Sequence, residues 1–239
     1  MTEVEVPKVP AYKVLADALR KQILSGELRT GVRLPNESEL SAQYGVGRST
    51  VREALRVLSS QNLIETTRGV TGGSFVAVPE PEDISAHLEI GLALLTLVEE
   101  ISVEQLLEVR QLLEVPAAGN AAQRRTNEQL EQLRSAALAP RGKSGDVAYP
   151  QNQEFHLILL RCSGNPLLEV VTAPVFRVLE TRFGRDRGPA SFWRRVDEDH
   201  QRLLTLVEAG DAVATMQAMR EHLSHLRDAY LQMDRRRRR

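Results

Sequence analysis

Apolar positions recur along this chain with a period that changes twice. Between residues 11 and 25, Tyr12, Leu15, Ala16, Leu19 and Ile23 fall at three- and four-residue intervals, the spacing of one helix face. Gly26 suits the position just past such a helix. "LRTGVRLP" then reads as a loop. A second helix is predicted from "NESELSAQYG", where Asn36 can cap and Glu39, three residues on, completes a capping box before Gly45 ends the run. A third starts after only "GVG", with Val51, Ala54, Leu55 and Leu58 on one face. Then the period shortens. "LIETT" and "SFVAV" are short β-prone runs on either side of the turn-rich "RGVTGG", a hairpin pattern.

The helical period returns at Ile84 and does not leave. Helices are predicted near 84–98, 103–125, 127–138, 150–163, 166–183, 190–209 and 211–231, with "APRGKSGD" and "FGRDRGPA" as the clearest loops. "PEPED", residues 79–83, reads as a linker because it joins two prolines to three acids. The fold class is therefore mostly α. A winged helix-turn-helix of three helices plus a hairpin wing (1–78) precedes an all-α bundle of six or seven helices (84–234). The closing Arg235–Arg239 reads as a solvated tail with at most non-specific attraction for phosphate.

Charge sharpens the division. Residues 1–78 are net +2, residues 79–234 net −8, and the five terminal arginines add +5, which returns the whole chain to −1. Only the first module suits an anionic partner. A single cysteine, Cys162, excludes an internal disulfide framework and points to a reducing, cytoplasmic setting. "MTEVEVPKVP" lacks the apolar run of a signal peptide, and "IGLALLTLV" is too short to span a bilayer, so no membrane role is expected.

The third helix carries the first candidate chemistry. Its buried stripe leaves Arg48, Ser49 and Arg52 on or near the outer face, with Thr50 able to add a hydroxyl. Arg48 and Arg52 are four apart and project together, and a guanidinium fork suits phosphates and guanine edges. Arg68 and Gly69 stand at the hairpin tip, where a wing would touch a groove or backbone. On residue type alone a solvated helix face explains these arginines as well; the order of helices, tight turn and hairpin favours DNA. The stretch "LPNESELSAQYGVGRSTVREALRVLSSQNLIETTRGVTGGSFV" resembles the GntR superfamily winged helix over about residues 11–78. The resemblance implies DNA contacts from Arg48, Ser49, Thr50, Arg52, Arg68 and Gly69. Ser38 stands where many members have an arginine, weakening one phosphate contact, and Gly47 stands where many have serine or threonine.

The second candidate lies in "QNQEFHLILL". Asn152 and His156 are four residues apart and share a helix face. His200 and His222 fall on two further predicted helices, so three imidazoles and one amide oxygen can meet at a point. Singly, each histidine is better read as a core residue. Glu154 and Glu198 point off-face, no nucleophile elbow, phosphate loop or HExxH pattern is present, and Cys162 has no activating base, so no catalytic residues are assigned and no enzyme is expected. "EVRQLLEVPAAGNAA", "NQEFHLILLRCSGNPLL" and "DEDHQRLLTLVEAGDAVATMQAMREHL" resemble the FCD ligand-binding domain of the FadR-like GntR subgroup. That resemblance implies a divalent metal, zinc first with nickel or manganese open, held by Asn152, His156, His200 and His222. Arg110 would face the site and clamp an effector carboxylate. Asn152 departs from the aspartate of that pattern and leaves the site one charge more positive. His87 and His225 are read as surface or structural.

The expected function is a ligand-responsive transcription regulator, a repressor in the commoner mode. A homodimer would read a palindromic double-stranded operator and a small organic acid would be the effector. Two rivals stay open: the same regulator with a metal-free pocket for a fatty acyl or other apolar effector, and a metal-dependent enzyme using its winged helix for protein contacts.

Overall fold

A computed structural model describes residues 9–69, 72–138, 148–183 and 190–237. The predicted loops 139–146 and 183–190 lie outside the described residues, apart from Phe183 and Ala190 at their helix ends, as do Val70 and Thr71 of the hairpin turn. The chain divides into two compact units, Met1–Glu80 and Pro81–Arg239.

The first unit holds α1 (Ala11–Leu24), α2 (Glu37–Tyr44), α3 (Arg48–Ser60) and the strands β1 (Ile64–Thr67) and β2 (Gly73–Val76). The capping box at α2 is complete. Asn36 Oδ1 accepts from the backbone of Ser38 and Glu39 at 2.9 and 3.0 Å, and Glu39 accepts from the Asn36 amide at 2.7 Å. Gly45 closes α2 at φ 65°, a left-handed turn that costs glycine little. Only Val46 and Gly47 separate it from α3, so the two helices must cross sharply. The strands pair antiparallel with Ile64 opposite Val76 and Thr67 opposite Gly73. Leu15, Leu19, Leu40, Val51, Ala54, Leu58, Ile64 and Val76 form one core. Leu55, expected in the stripe, is only half-buried.

The regular elements of the second unit's described residues are all helices: α4 (Pro81–Leu97), α5 (Val103–Arg124), α6 (Asn127–Leu138), α7 (Ala148–Cys162), α8 (Pro166–Phe183), α9 (Ala190–Ala209) and α10 (Ala212–Arg237). Two boundaries differ from the sequence reading. The stretch 79–83 is not all linker, because Pro81 opens α4: proline suits the first helical position, and Glu82 and Asp83 favour the positive end of the helix dipole. Nor does the last helix stop short of the arginine tail, since the backbone of α10 continues to Arg237.

α5 and α10 form the axis of the bundle. Ala117, Ala118, Gly119, Ala121 and Ala122 make a small-residue stretch on α5, all buried. A Cβ on Gly119 would stand 2.7 Å from Met216 Cγ on α10, so glycine permits that close approach. The core runs through Leu106, Leu133, Phe155, Leu159, Leu179, Leu203, Met219 and Leu226, drawing on α5 to α10.

Candidate metal centre and nucleic-acid interface

On α3, burial of Val51, Ala54 and Leu58 turns the other side outward: Arg48, Ser49 and Arg52 are exposed and Thr50 is half-buried. Ser38 on α2 and Arg68 and Gly69 at the wing are exposed as well, with Gly69 at φ 113°. Gly47 caps α3 without a side-chain hydrogen bond, leaving the first amides of that helix open toward an anion. Arg52 Nε donates to Glu37 Oε2 at 2.9 Å across the α2–α3 turn, an exposed pair that holds the guanidinium in place while adding little stability. Arg33, which the sequence reading passed over, donates to the Gly72 carbonyl at 2.5 Å and lies against Gly73 where a Cβ would collide with it. It braces the turn end of the wing. Its position in a loop carried no periodic signal.

In the helical unit the structure brings three of the predicted ligands together. His156 from α7, His200 from α9 and His222 from α10 are buried, and one nitrogen from each lies within 4.8 Å of the others. Asn152 is buried one turn before His156, and its Oδ1 has no hydrogen-bond partner among the described residues. Phe155 stacks on the His200 ring at 3.9 Å between centroids and 13° between planes, which fixes that imidazole.

Two carboxylates absent from the predicted set decide how the rings face. His156 Nδ1 is 2.6 Å from Glu114 Oε2, and His222 Nδ1 is 3.2 Å from Asp199 Oδ2. Each Nδ1 thus faces a carboxylate, which favours the ring proton on that side and leaves the lone pair of each neutral ring on Nε2. Those two Nε2 atoms are 3.1 Å apart. Two lone pairs at that distance repel unless a proton or a cation lies between them. Asp199 also accepts from His225 Nδ1 at 3.1 Å and from Arg195 Nε at 3.1 Å, so His225 is tied to the same carboxylate although it lies outside the cluster.

Arg110 is fully buried, but its fork is already engaged: Nε donates to Glu114 Oε1 at 2.6 Å and Nη2 to Oε2 at 3.3 Å, with the guanidinium 4.5 Å over the Phe176 ring. Burial by itself would raise the Glu114 carboxyl, yet Arg110 and His156 outweigh it and hold the group down at about 2. Burial pushes His156 down to about 4 against the opposing pull of Glu114, and it lowers His222 against the pull of Asp199. Both rings are thus neutral near pH 7, the form that binds metal. Cys162 is buried and its thiol is pushed up to about 11, which makes it inert. Glu114 had a sequence signal, since it lies four residues after Arg110 on one helix. Asp199 had only its place beside His200.

A capped helix-turn-helix with an outward arginine face and a hairpin wing, followed by a helical domain with a buried polar centre, defines a DNA-binding regulator with a sensing domain. The chain belongs to the GntR family of bacterial regulatory proteins: residues 11–76 match that family and residues 105–225 match the FCD domain. It is 34% identical over 214 residues to the HTH-type transcriptional regulator LutR of Bacillus subtilis, covering 86% of this chain and 94% of that one. It is 29% identical over 225 residues to the putative L-lactate dehydrogenase operon regulatory protein of Escherichia coli, covering 92% and 86%. Among solved structures it resembles a Streptococcus agalactiae GntR protein with TM-score 0.59 and 26% identity, over 91% of this chain and 99% of that one. The protein is a transcription regulator that binds DNA, not an enzyme. No described helix is long and apolar enough to cross a membrane.

Proposed function

We propose that this regulator responds to a small organic acid through a divalent cation held by His156, His200 and His222, with Asn152 Oδ1 as the fourth donor. The opposed Nε2 atoms of His156 and His222, 3.1 Å apart and each turned inward by a carboxylate, are the observation that carries this reading. Held there, a cation would take a lone pair from each of these two nitrogens. Imidazole nitrogens suit zinc, with nickel next, and one amide oxygen leaves manganese open. Glu114 and Asp199 orient the ligands and raise their basicity. When bound, the cation supplies a Lewis-acidic anchor for an effector carboxylate. Two of the five N–H donors of Arg110 already serve Glu114, so an effector would share this guanidinium with it. Similarity to the putative L-lactate dehydrogenase operon regulatory protein of Escherichia coli supports the small-carboxylate class.

Arg48, Ser49, Thr50 and Arg52 would meet the major groove, and Ser38, Arg68 and Gly69 the backbone beside it. One recognition helix discriminates poorly, so a homodimer on a palindromic operator in the cytoplasm is the working form, with repression relieved by the effector. The effector acts only by binding two arrangements of the bundle unequally, and the short connection into α4 passes that difference on.

The test is elemental analysis of protein purified without chelator, beside His200→Ala and His222→Ala variants. About one bound divalent ion per chain is expected, lost in both variants while helicity is retained. Wild-type protein with no metal, even after reloading with zinc, nickel or manganese, would refute the cation and favour a metal-free apolar pocket.

A further inference from the structure

We propose that the open cleft between α9 and α10 is a second small-molecule site, separate from the histidine cluster, that takes an α-amino acid with an apolar side chain. The cleft has a volume of about 430 Å³, within the range of small-ligand pockets. Phe192 and Arg195 of α9 line it, with His225, Asp228, Gln232 and Met233 of α10. Helical spacing puts them there: Phe192 and Arg195 are three apart, and His225, Asp228 and Gln232 follow at intervals of three and four. None of the three clustered histidines lines the cleft. Asp199 stands between the two places, taking Arg195 and His225 on one side and His222 on the other.

The lining selects the ligand. Phe192 and Met233 are half-buried and pack on the main core, which gives the cleft an apolar side already partly shielded from water. Arg195, Asp228 and Gln232 are exposed. Among the described residues Arg195 meets only Asp199, through Nε at 3.1 Å, so most of its five N–H donors remain available. Asp228 and Gln232 make no hydrogen bond or ion pair among the described residues. A guanidinium and a carboxylate thus line one cavity without pairing with each other. A plain carboxylic acid would suit Arg195 and be repelled by Asp228, and a plain amine would suffer the reverse. A zwitterion satisfies both, its carboxylate on Arg195 and its ammonium on Asp228. An apolar side chain then covers Phe192 and Met233 and removes their remaining surface from water. This site goes beyond the proposed function and does not need the cation.

Trp193 is the single tryptophan of the chain, and its ring centroid lies 4.9 Å from that of Phe192, so its fluorescence reports on the cleft. In full-length protein stripped of metal by chelator, L-phenylalanine is expected to change that emission saturably. Three partial ligands should each bind at least 10-fold more weakly: 3-phenylpropanoate, which lacks the ammonium, phenethylamine, which lacks the carboxylate, and glycine, which lacks the apolar group. Asp228→Asn should weaken L-phenylalanine about 10-fold and leave 3-phenylpropanoate unchanged. Arg195→Gln should weaken L-phenylalanine and 3-phenylpropanoate and leave phenethylamine unchanged. Helicity should be retained in both, and this crossed pattern is one that a merely structural role would not produce. Use of stripped protein separates this result from the cation reading, which can fail without touching it. No saturable change, equal affinity for all four probes, indifference to both substitutions, or binding seen only after metal is restored would each overturn the proposal.

Discussion

Replacing Glu114 by glutamine changes one atom and removes one buried charge. In the native protein that carboxylate neutralises Arg110 through contacts of 2.6 and 3.3 Å and lies 2.6 Å from His156 Nδ1. A glutamine has one acceptor oxygen and one NH2 donor. If the oxygen stays with Arg110, the NH2 group faces His156 Nδ1–H, and the ring must move its proton to Nε2, where it blocks the proposed cation. If the oxygen turns to His156, the donor faces the guanidinium. Either way the buried Arg110 loses the carboxylate charge that its Nε and Nη2 meet. Breaking a buried pair by removing one partner costs about 3–5 kcal/mol. The depressed pKa of Glu114 gives a similar figure, since lowering from 4.5 to about 2 corresponds to about 3 kcal/mol. Urea unfolding of metal-stripped Glu114→Gln at pH 7 should therefore show about 3 kcal/mol less stability. Calorimetric zinc titration of the folded variant should show affinity reduced about 10- to 100-fold, the effect of losing an outer partner of a metal-binding histidine. Adding Arg110→Met should recover part of the stability, because the buried positive charge goes as well. A Glu114→Gln protein within about 1 kcal/mol of wild type, or one that Arg110→Met further destabilises by a full increment, would show that the carboxylate does not neutralise Arg110.

Other outcomes follow from the same geometry. Arg48→Ala should weaken operator binding by about 1–3 kcal/mol in gel-shift titration at fixed salt, leaving the melting temperature unchanged; equal affinity would remove α3 from the interface. Arg52→Ala should do the same while costing under about 1 kcal/mol of stability, because the Glu37 pair it breaks is exposed. Asn152→Asp should tighten zinc binding by adding the charge the donor set lacks, and weaker binding would place Asn152 outside it. Metal-free protein should lose stability as pH falls. The folded pKa of His156, about 4, lies below its ordinary 6.5, so the native state binds fewer protons; its contribution is complete above pH 6.5 and is lost from there toward pH 4. Between pH 7 and pH 5 this one ring accounts for about 2 kcal/mol in urea unfolding, and a flat profile would contradict its buried, neutral state.

The local elements were legible because their causes are local. Asn36 and Glu39 cap α2 three residues apart, Gly45 permits a left-handed turn, and Val51, Ala54 and Leu58 recur at the helical period, so the reading head could be drawn from adjacent residues alone. His156, His200 and His222 were nameable singly, but three helices had to pack before they met. Tertiary structure decided everything that depends on direction. Ring orientation at the cluster is set by Glu114 from α5 and Asp199 from α9, and neither separation along the chain nor residue type announces which nitrogen a carboxylate will take. Arg110 looked open to an effector until the fold gave it Glu114 as a partner. α4 carries apolar residues on its outer face and polar ones among its inward positions, so periodicity could show that it is a helix but not which side faces home. Its polar side found the Val170 carbonyl and Arg177, and the apolar side was left outward. A chain encodes its period in neighbours a few residues apart, whereas the side a helix presents is chosen by surfaces that only folding brings near.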